Sequence, residues 1–328
     1  MPRVVVFDEF GGPEVLHIVT DPAVEPTTGE VRVRIEASGV NPLDAMMRAG
    51  TSPAAVPLPH ARLGIEATGV IDAVGPEVVG LRAGDPVIIT AIPDSSVRGS
   101  YADYTTIPAS AVILRPPGLD IAQAAAIWVA YSTAYGALVE EAKMRPADLV
   151  LISGASGGVG RSAMQIAHQL GAVPIAITRD AAKTDELRAA GAAAVIATDH
   201  EDIVDAVHRH TGGGGVDIVF DLVRGPGQRD LLKATRPGGI LVAAGYLDPR
   251  PTPDPGDTSV TVINYRGFDH LSDPAVVRRM AAFLAAGVSL GALQPAIDEV
   301  FPLDDVVEAH RRFDKGLHAG KKIVLATT

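Results

Sequence analysis

The sequence predicts an α/β protein, in which a doubly wound parallel sheet of six strands is joined to an antiparallel, partly barrel-like β domain. Three observations predict it. Residues 1–118 carry short β-type runs broken by Gly and Pro. From residue 119 onward such runs alternate with helical stretches. Between the first of these later strands and its helix stands a glycine-rich turn, within "VLISGASGGVGRSAMQIAHQLGA" (150–172).

In chain order, "RVVVF", "EVRVRIEAS", "EATGVIDAVG", "DPVIIT" and "SYADYTTIP" read as the strands of the β domain, and "RPPG" (115–118) as a linker. "DLVLIS" then feeds a helix from Gly158. "VPIAIT" precedes a helix over 181–190, and "AAVIA" one near 202–210. "VDIVFD", "GGILVAAG" and "VTVINYRGF" complete six strand candidates. A helix near 274–286 and the strand "KKIVLAT" close the chain. The uncharged run 121–139, "IAQAAAIWVAYSTAYGALV", is nearly long enough to span a bilayer, but its Gln, Ser, Thr and many Ala favour a buried helix.

Composition narrows the function. The 328 residues suit two domains, and 47% hydrophobic with 20% charged residues is globular. A net charge of −11 argues against a nucleic-acid partner. The absence of cysteine excludes disulfides, thiolate zinc sites and a cysteine nucleophile, and is compatible with the cytoplasm. No membrane partner is expected.

A strand running into a glycine turn at a helix N-terminus is an anion site, because free N–H groups and the helix dipole face one point. The turn runs Ala155, Ser156, Gly157, Gly158, Val159, Gly160, so alanine holds the first glycine position of a G-x-G-x-x-G pattern. The following βα units make it a dinucleotide site, with Ser156, Gly157, Gly158, Val159 and Gly160 as cofactor contacts. At the second strand end, where an acidic residue would hold a ribose 2′-hydroxyl, stand Thr178, Arg179 and then Lys183. A hydroxyl and two cations suit a 2′-phosphate, so NADPH is expected over NADH, although either cation could be an ordinary solvated residue. Asp180 is expected to face solvent or cap the next helix. Tyr246, after "AAG" with Gly245, is expected to line the nicotinamide pocket.

The ordered motifs "GVNPLDAMMRAG", "LGIEATGVIDAVGPEV", "GSYADY", "ASGGVG", "VDIVFDLV", "RPGGILV" and "GKKIVL" span the chain. On them the sequence resembles the medium-chain dehydrogenase/reductase superfamily, in its zinc-free quinone oxidoreductase branch, which includes zeta-crystallin. The resemblance implies a GroES-like first domain, residues 1–118 plus 287–328, interrupted by a Rossmann cofactor domain, residues 119–286. It also implies that Thr133 touches the nicotinamide, and it adds Lys321 to the cofactor contacts.

The zinc-dependent relatives place metal ligands where this chain has Asn41, Ile65 and Val129. Two aliphatic side chains and one amide cannot hold Zn²⁺, so no metal is expected. Without a Lewis acid, the accessible reaction is hydride transfer to acceptors that spread their own charge, namely quinones and α,β-unsaturated carbonyls (enones). The related enoyl thioester reductases carry a tyrosine where this chain has "AGTSPAAVP". Tyr131 could supply the missing hydroxyl or be core packing. Tyr101 is expected to be structural, Asn41 a polar contact to substrate or ribose, and Asp44 a residue that holds its own loop. Rival readings are an enoyl reductase of a biosynthetic pathway and an NADPH-binding sensor or stress protein with little turnover. The edge strand 259–267, which carries no charge before Arg266, and the resemblance both point to a homodimer.

Overall fold

A computed structural model describes residues 1–267 and 269–327. Phe268, the last residue of the strand candidate "VTVINYRGF", and Thr328, the last of the expected first domain, lie outside the described residues. The chain divides into two compact units, Met1–Val129 with Gln294–Thr328, and Ala130–Leu293.

In the first unit the long strand Glu30–Gly39 organises a seven-stranded sheet. It pairs antiparallel with Ala67–Val74 and Tyr104–Pro108, and over its last residues with Lys322–Ala326. One strand with three partners cannot stay flat, and two register shifts against Ala67–Val74 mark where it bends. The chain end thus returns to the unit where it began, as the resemblance implies. A second sheet of three strands is built on Arg3–Phe7. Alternate residues Val31, Val33 and Ile35 point into a core with Ile71, Val87, Ile89 and Ile107.

The second unit is a six-stranded parallel sheet. Its spatial order is Ala194–Ala197, Val173–Thr178, Leu149–Ile152, Val216–Asp221, Thr235–Ala243, Thr261–Asn264. The strand order reverses direction between Leu149–Ile152 and Val216–Asp221, which is where a doubly wound sheet opens a crevice for a dinucleotide. The central strands Val173–Thr178, Leu149–Ile152 and Val216–Asp221 are buried on both faces and so read as largely apolar runs.

Several expected limits move. The units part after Val129 and Leu293 rather than after 118 and 286. The helix Ile121–Ala126 presents only alanine to Ala37 and Val324, so it lies close on the first unit's strands. The helix Pro274–Ser289 runs beyond the expected 286, and at Gly287 within it a Cβ would lie 2.2 Å from Gln169 Oε1 and 2.4 Å from Leu293. The expected helix 181–190 is a short 3₁₀ turn, Ala181–Lys183, followed by Thr184–Ala189. The edge strand shrinks to Thr261–Asn264. The uncharged run 121–139 is broken into Ile121–Ala126, Trp128–Tyr135 and a π-helical turn, Gly136–Glu141. Among the described residues no helix is long and apolar enough to cross a membrane.

Candidate active site

The glycine turn follows the strand Leu149–Ile152. Gly154 adopts a left-handed φ of 59°, and its carbonyl accepts from the Gly157 N–H at 3.0 Å. Gly157 caps the helix Gly158–Leu170, and the first intrahelical bond runs from Arg161 N to its carbonyl at 2.9 Å. The N–H groups of Gly158, Val159 and Gly160 therefore precede the helical ladder and open an anion cradle. Gly160 must lack a side chain, since a Cβ would lie 2.6 Å from both Gly154 O and Ala155 Cα. The operative spacing is thus Gly154, Gly157, Gly160, beginning one residue before the turn chosen from sequence. Arg161, not singled out there, steadies the turn by donating to Ser156 O at 3.1 Å and pairing with Glu186 at 2.5 Å.

At the second strand end the Thr178 hydroxyl is turned into its own loop, accepting from Asp180 N at 3.2 Å. Asp180 caps the following turn through Ala182 N at 2.9 Å, as expected. Arg179 is exposed and Lys183 half-buried, which leaves two cations at the place where a 2′-phosphate would be read.

Two further strand ends meet in the same unit. Gly245 admits no side chain, because a Cβ would fall 1.6 Å from Leu222 O. Beside it Tyr246 is exposed, and the Arg224 guanidinium stacks 5.0 Å above its ring. Leu222, Val223 and Leu247 all approach Gly154, so these loops border the glycine turn. Buried Asp221 ties them down by accepting from Ser153 Oγ at 2.7 Å, Gln228 Nε2 at 2.9 Å and Arg224 N at 3.0 Å. Thr133 lies next to Gly267, whose Cβ would be 3.1 Å from its Oγ1.

Tyr131 is buried, and its hydroxyl donates to Gln165 Oε1 at 2.6 Å. A phenol has one proton. It could reach a substrate only by breaking that bond, which takes the role of ready donor away from this residue. Tyr101 donates to Asp44 at 3.1 Å, and Asp44 also accepts from Asn41 N and Gly64 N, both at 2.9 Å. Complete burial pushes the Asp44 carboxyl up to about 6. Both residues hold their own loop, as expected.

Asn41 belongs to a cluster that the sequence reading missed. Its amide donates to Gly39 O and Glu66 Oε1, both at 3.1 Å, and its Oδ1 accepts from Lys322 Nζ at 2.7 Å. Lys322 also donates to Glu66 at 2.5 Å, and the other Glu66 oxygen accepts from Val129 N at 2.8 Å. Lys322 rather than Lys321 is the lysine of "GKKIVL" that joins this cluster. The half-buried Lys321 makes a main-chain bond to His318 O at 2.8 Å. A groove of about 290 Å³ lined by Arg3, Arg62, Arg98 and Tyr104 contains none of the candidate residues, so the chemistry lies elsewhere.

The two units define a class, an oxidoreductase with a dinucleotide fold carried on a GroES-like β unit. Residues 27–117 match the family described as alcohol dehydrogenase GroES-like domain, and residues 190–325 that described as zinc-binding dehydrogenase. A quinone oxidoreductase of Lama guanicoe is 33% identical over 98% of this chain and 97% of its own. The crystal structure of Escherichia coli quinone oxidoreductase complexed with NADPH superposes with a TM-score of 0.88 at 27% identity, covering 99% of each chain. An NAD-dependent alcohol dehydrogenase structure gives a TM-score of 0.85 at 30% identity, covering 99% of this chain and all of its own. The chain belongs to the medium-chain dehydrogenase/reductase superfamily, in its quinone oxidoreductase branch.

Zinc, which one matched description implies, does not fit the residues present. Ile65 and Val129 offer no side-chain lone pair, the Asn41 amide is committed, and an ammonium already lies against it. Among the described residues no three His, Cys, Asp or Glu side chains are grouped to hold a metal. A dinucleotide does fit, because the N–H groups of Gly158, Val159 and Gly160 precede the helical ladder at the strand end and are available to a pyrophosphate.

Proposed function

We propose that this oxidoreductase is NADPH-dependent and reduces quinones or α,β-unsaturated carbonyl compounds without a metal. The observation that carries the reading is the Asn41–Glu66–Lys322 cluster, a hydrogen-bonded set of side chains in which an ammonium stands against the groups a metal would need. An alkoxide would need a Lewis acid, whereas an enolate or hydroquinone spreads its charge within itself. The quinone oxidoreductase relatives and the NADPH complex of one of them support the same choice.

When bound, the reduced nicotinamide supplies a hydride. The N–H groups of Gly158, Val159 and Gly160 hold the pyrophosphate, with Ser156 and Gly157 completing the turn. Arg179 and Lys183 hold the 2′-phosphate, with the Thr178 turn presenting them. Thr133, Gly245 and Tyr246 line the nicotinamide end, and Lys321 is a further cofactor contact. Both amide hydrogens of Asn41 are spent inward, so Asn41 can only accept, from a ribose or substrate hydroxyl. We further propose that the protein works in the cytoplasm as a homodimer.

NADPH oxidation measured with a quinone, an enone, an enoyl thioester and an aldehyde tests the reading. Turnover with the first two, unaltered by chelator, is expected. Turnover confined to the aldehyde and abolished by chelator would overturn it.

A further inference from the structure

Glu66 is 1% exposed and the Lys322 side chain 12%, so their ion pair is withdrawn from water. A lone carboxylate there would be costly, which explains why a cation accompanies it. It does not explain how that cation is used. An ammonium carries three N–H donors. Two go to Glu66 Oε1 and Asn41 Oδ1, and the third has no acceptor among the described residues. Nor can the group easily turn away. A Cβ at Gly39 would lie 2.7 Å from Glu66 Oε1 and 2.5 Å from Ala125 O, so the carboxylate is wedged against main chain. Its second oxygen is held by Val129 N. Glu66 thereby ties together Asn41 and Val129, two of the three positions that fail as zinc ligands, and the lysine brings a positive charge to that point.

We propose that Lys322 is the electrophile of this enzyme, its third N–H donating to the carbonyl oxygen of the acceptor. This rests on the quinone or enone reading. A bound reduced dinucleotide would supply the hydride, and the new C–H bond would form at the β-carbon of an enone. The alkene π pair moves toward the carbonyl carbon and the carbonyl π pair onto oxygen. The negative charge arising there meets the ammonium, and solvent then delivers one proton to complete the reduction. Glu66 keeps the lysine pointed, and Asn41 fixes its second donor.

The test separates this role from simple neutralisation of Glu66. Lys322→Met alone strands a buried carboxylate and lowers Tm. Adding Glu66→Gln removes that charge and restores Tm close to wild type. With the fold restored, enone turnover by the double variant should remain about 100-fold below wild type. NADPH affinity should stay within about threefold. A second readout needs no turnover. Wild type should bind 4-nitrophenolate and lower the phenol's apparent pKa, seen by its visible absorbance, and the double variant should not. A double variant with restored Tm and wild-type turnover would overturn the proposal, as would unchanged phenolate binding. Absence of quinone and enone reduction by wild type would instead defeat the function proposed above, and phenolate binding would still decide the role of Lys322.

Discussion

Arg48 Nη1 lies 2.8 Å from Nδ1 of His310, deep in the core of the first unit. A guanidinium can only donate, so Nδ1 accepts and the imidazole proton sits on Nε2, which is buried without a partner. Burial, with the Arg48 charge beside it, pushes His310 down to about 3. Arg48 is balanced on its far side by Asp314 at 2.6 Å. The same core holds Asp44, pushed the other way, up to about 6.

These two groups oppose each other in the acid range. Below pH 6.5 the unfolded chain protonates the histidine while the folded chain does not, so His310 makes stability fall with falling pH until about 3. Between pH 6 and 4 the folded chain protonates Asp44 while the unfolded chain does not, so Asp44 makes stability rise as pH falls. In wild type the two slopes largely cancel. Urea unfolding of His310→Gln, referred to wild type at each pH, should gain relative stability on acidification from pH 6 to 4, by up to about 1.4 kcal/mol per pH unit. Asp44→Asn should lose relative stability over the same range. Parallel curves for either variant would show that the group does not titrate as described.

Cofactor choice turns on Arg179, which is exposed at the end of Val173–Thr178 with no acidic neighbour before it. Arg179→Ala should raise the NADPH dissociation constant about tenfold and leave that of NADH nearly unchanged, since only the 2′-phosphate contact is lost. Fluorescence titration measures both constants. Equal binding of NADH and NADPH by wild type would remove the basis for the NADPH assignment.

Tyr131→Phe tests whether the phenol at Gln165 is structural. The hydrogen bond lost is short and partly buried, so Tm should drop by an amount matching about 1 kcal/mol. Enone turnover should change less than about threefold. A loss near 100-fold with unchanged NADPH affinity would instead make Tyr131 the donor.

What the sequence made legible depended on range. The central parallel strands announce themselves because burial on both faces demands largely apolar runs, and Gly160 because a Cβ there would strike the turn's own main chain. Asp44 was readable from local turn chemistry. The Glu66–Lys322 pair was not, since the partners stand 256 residues apart and no periodicity links them. Its one local trace is a charged residue inside the apolar start of "LGIEATG". Gly154 was missed because its left-handed φ shifts the glycine pattern by one residue. The bond from Tyr131 to Gln165 and the attachment of Ile121–Ala126 likewise depend on packing, which an alanine-rich stretch does not reveal.

The edge strand Thr261–Asn264 pairs with Thr235–Ala243 on one side, and its other side faces no strand among the described residues. It carries no charge, which leaves its outward main-chain groups open to a second copy of the chain. A two-fold axis would set the two edges antiparallel, so that the Thr261 end of one copy meets the Asn264 end of the other. Light scattering at micromolar concentration should therefore give twice the 33.9 kDa chain mass. Thr261 and Asn264 are exposed, so Thr261→Lys with Asn264→Lys should leave the fold intact. Four ammonium groups at the shared edge would then repel, and the variant should run as a monomer with its NADPH affinity retained. A monomeric wild type would refute the dimer, and a lysine variant that stayed dimeric would move the interface away from this strand.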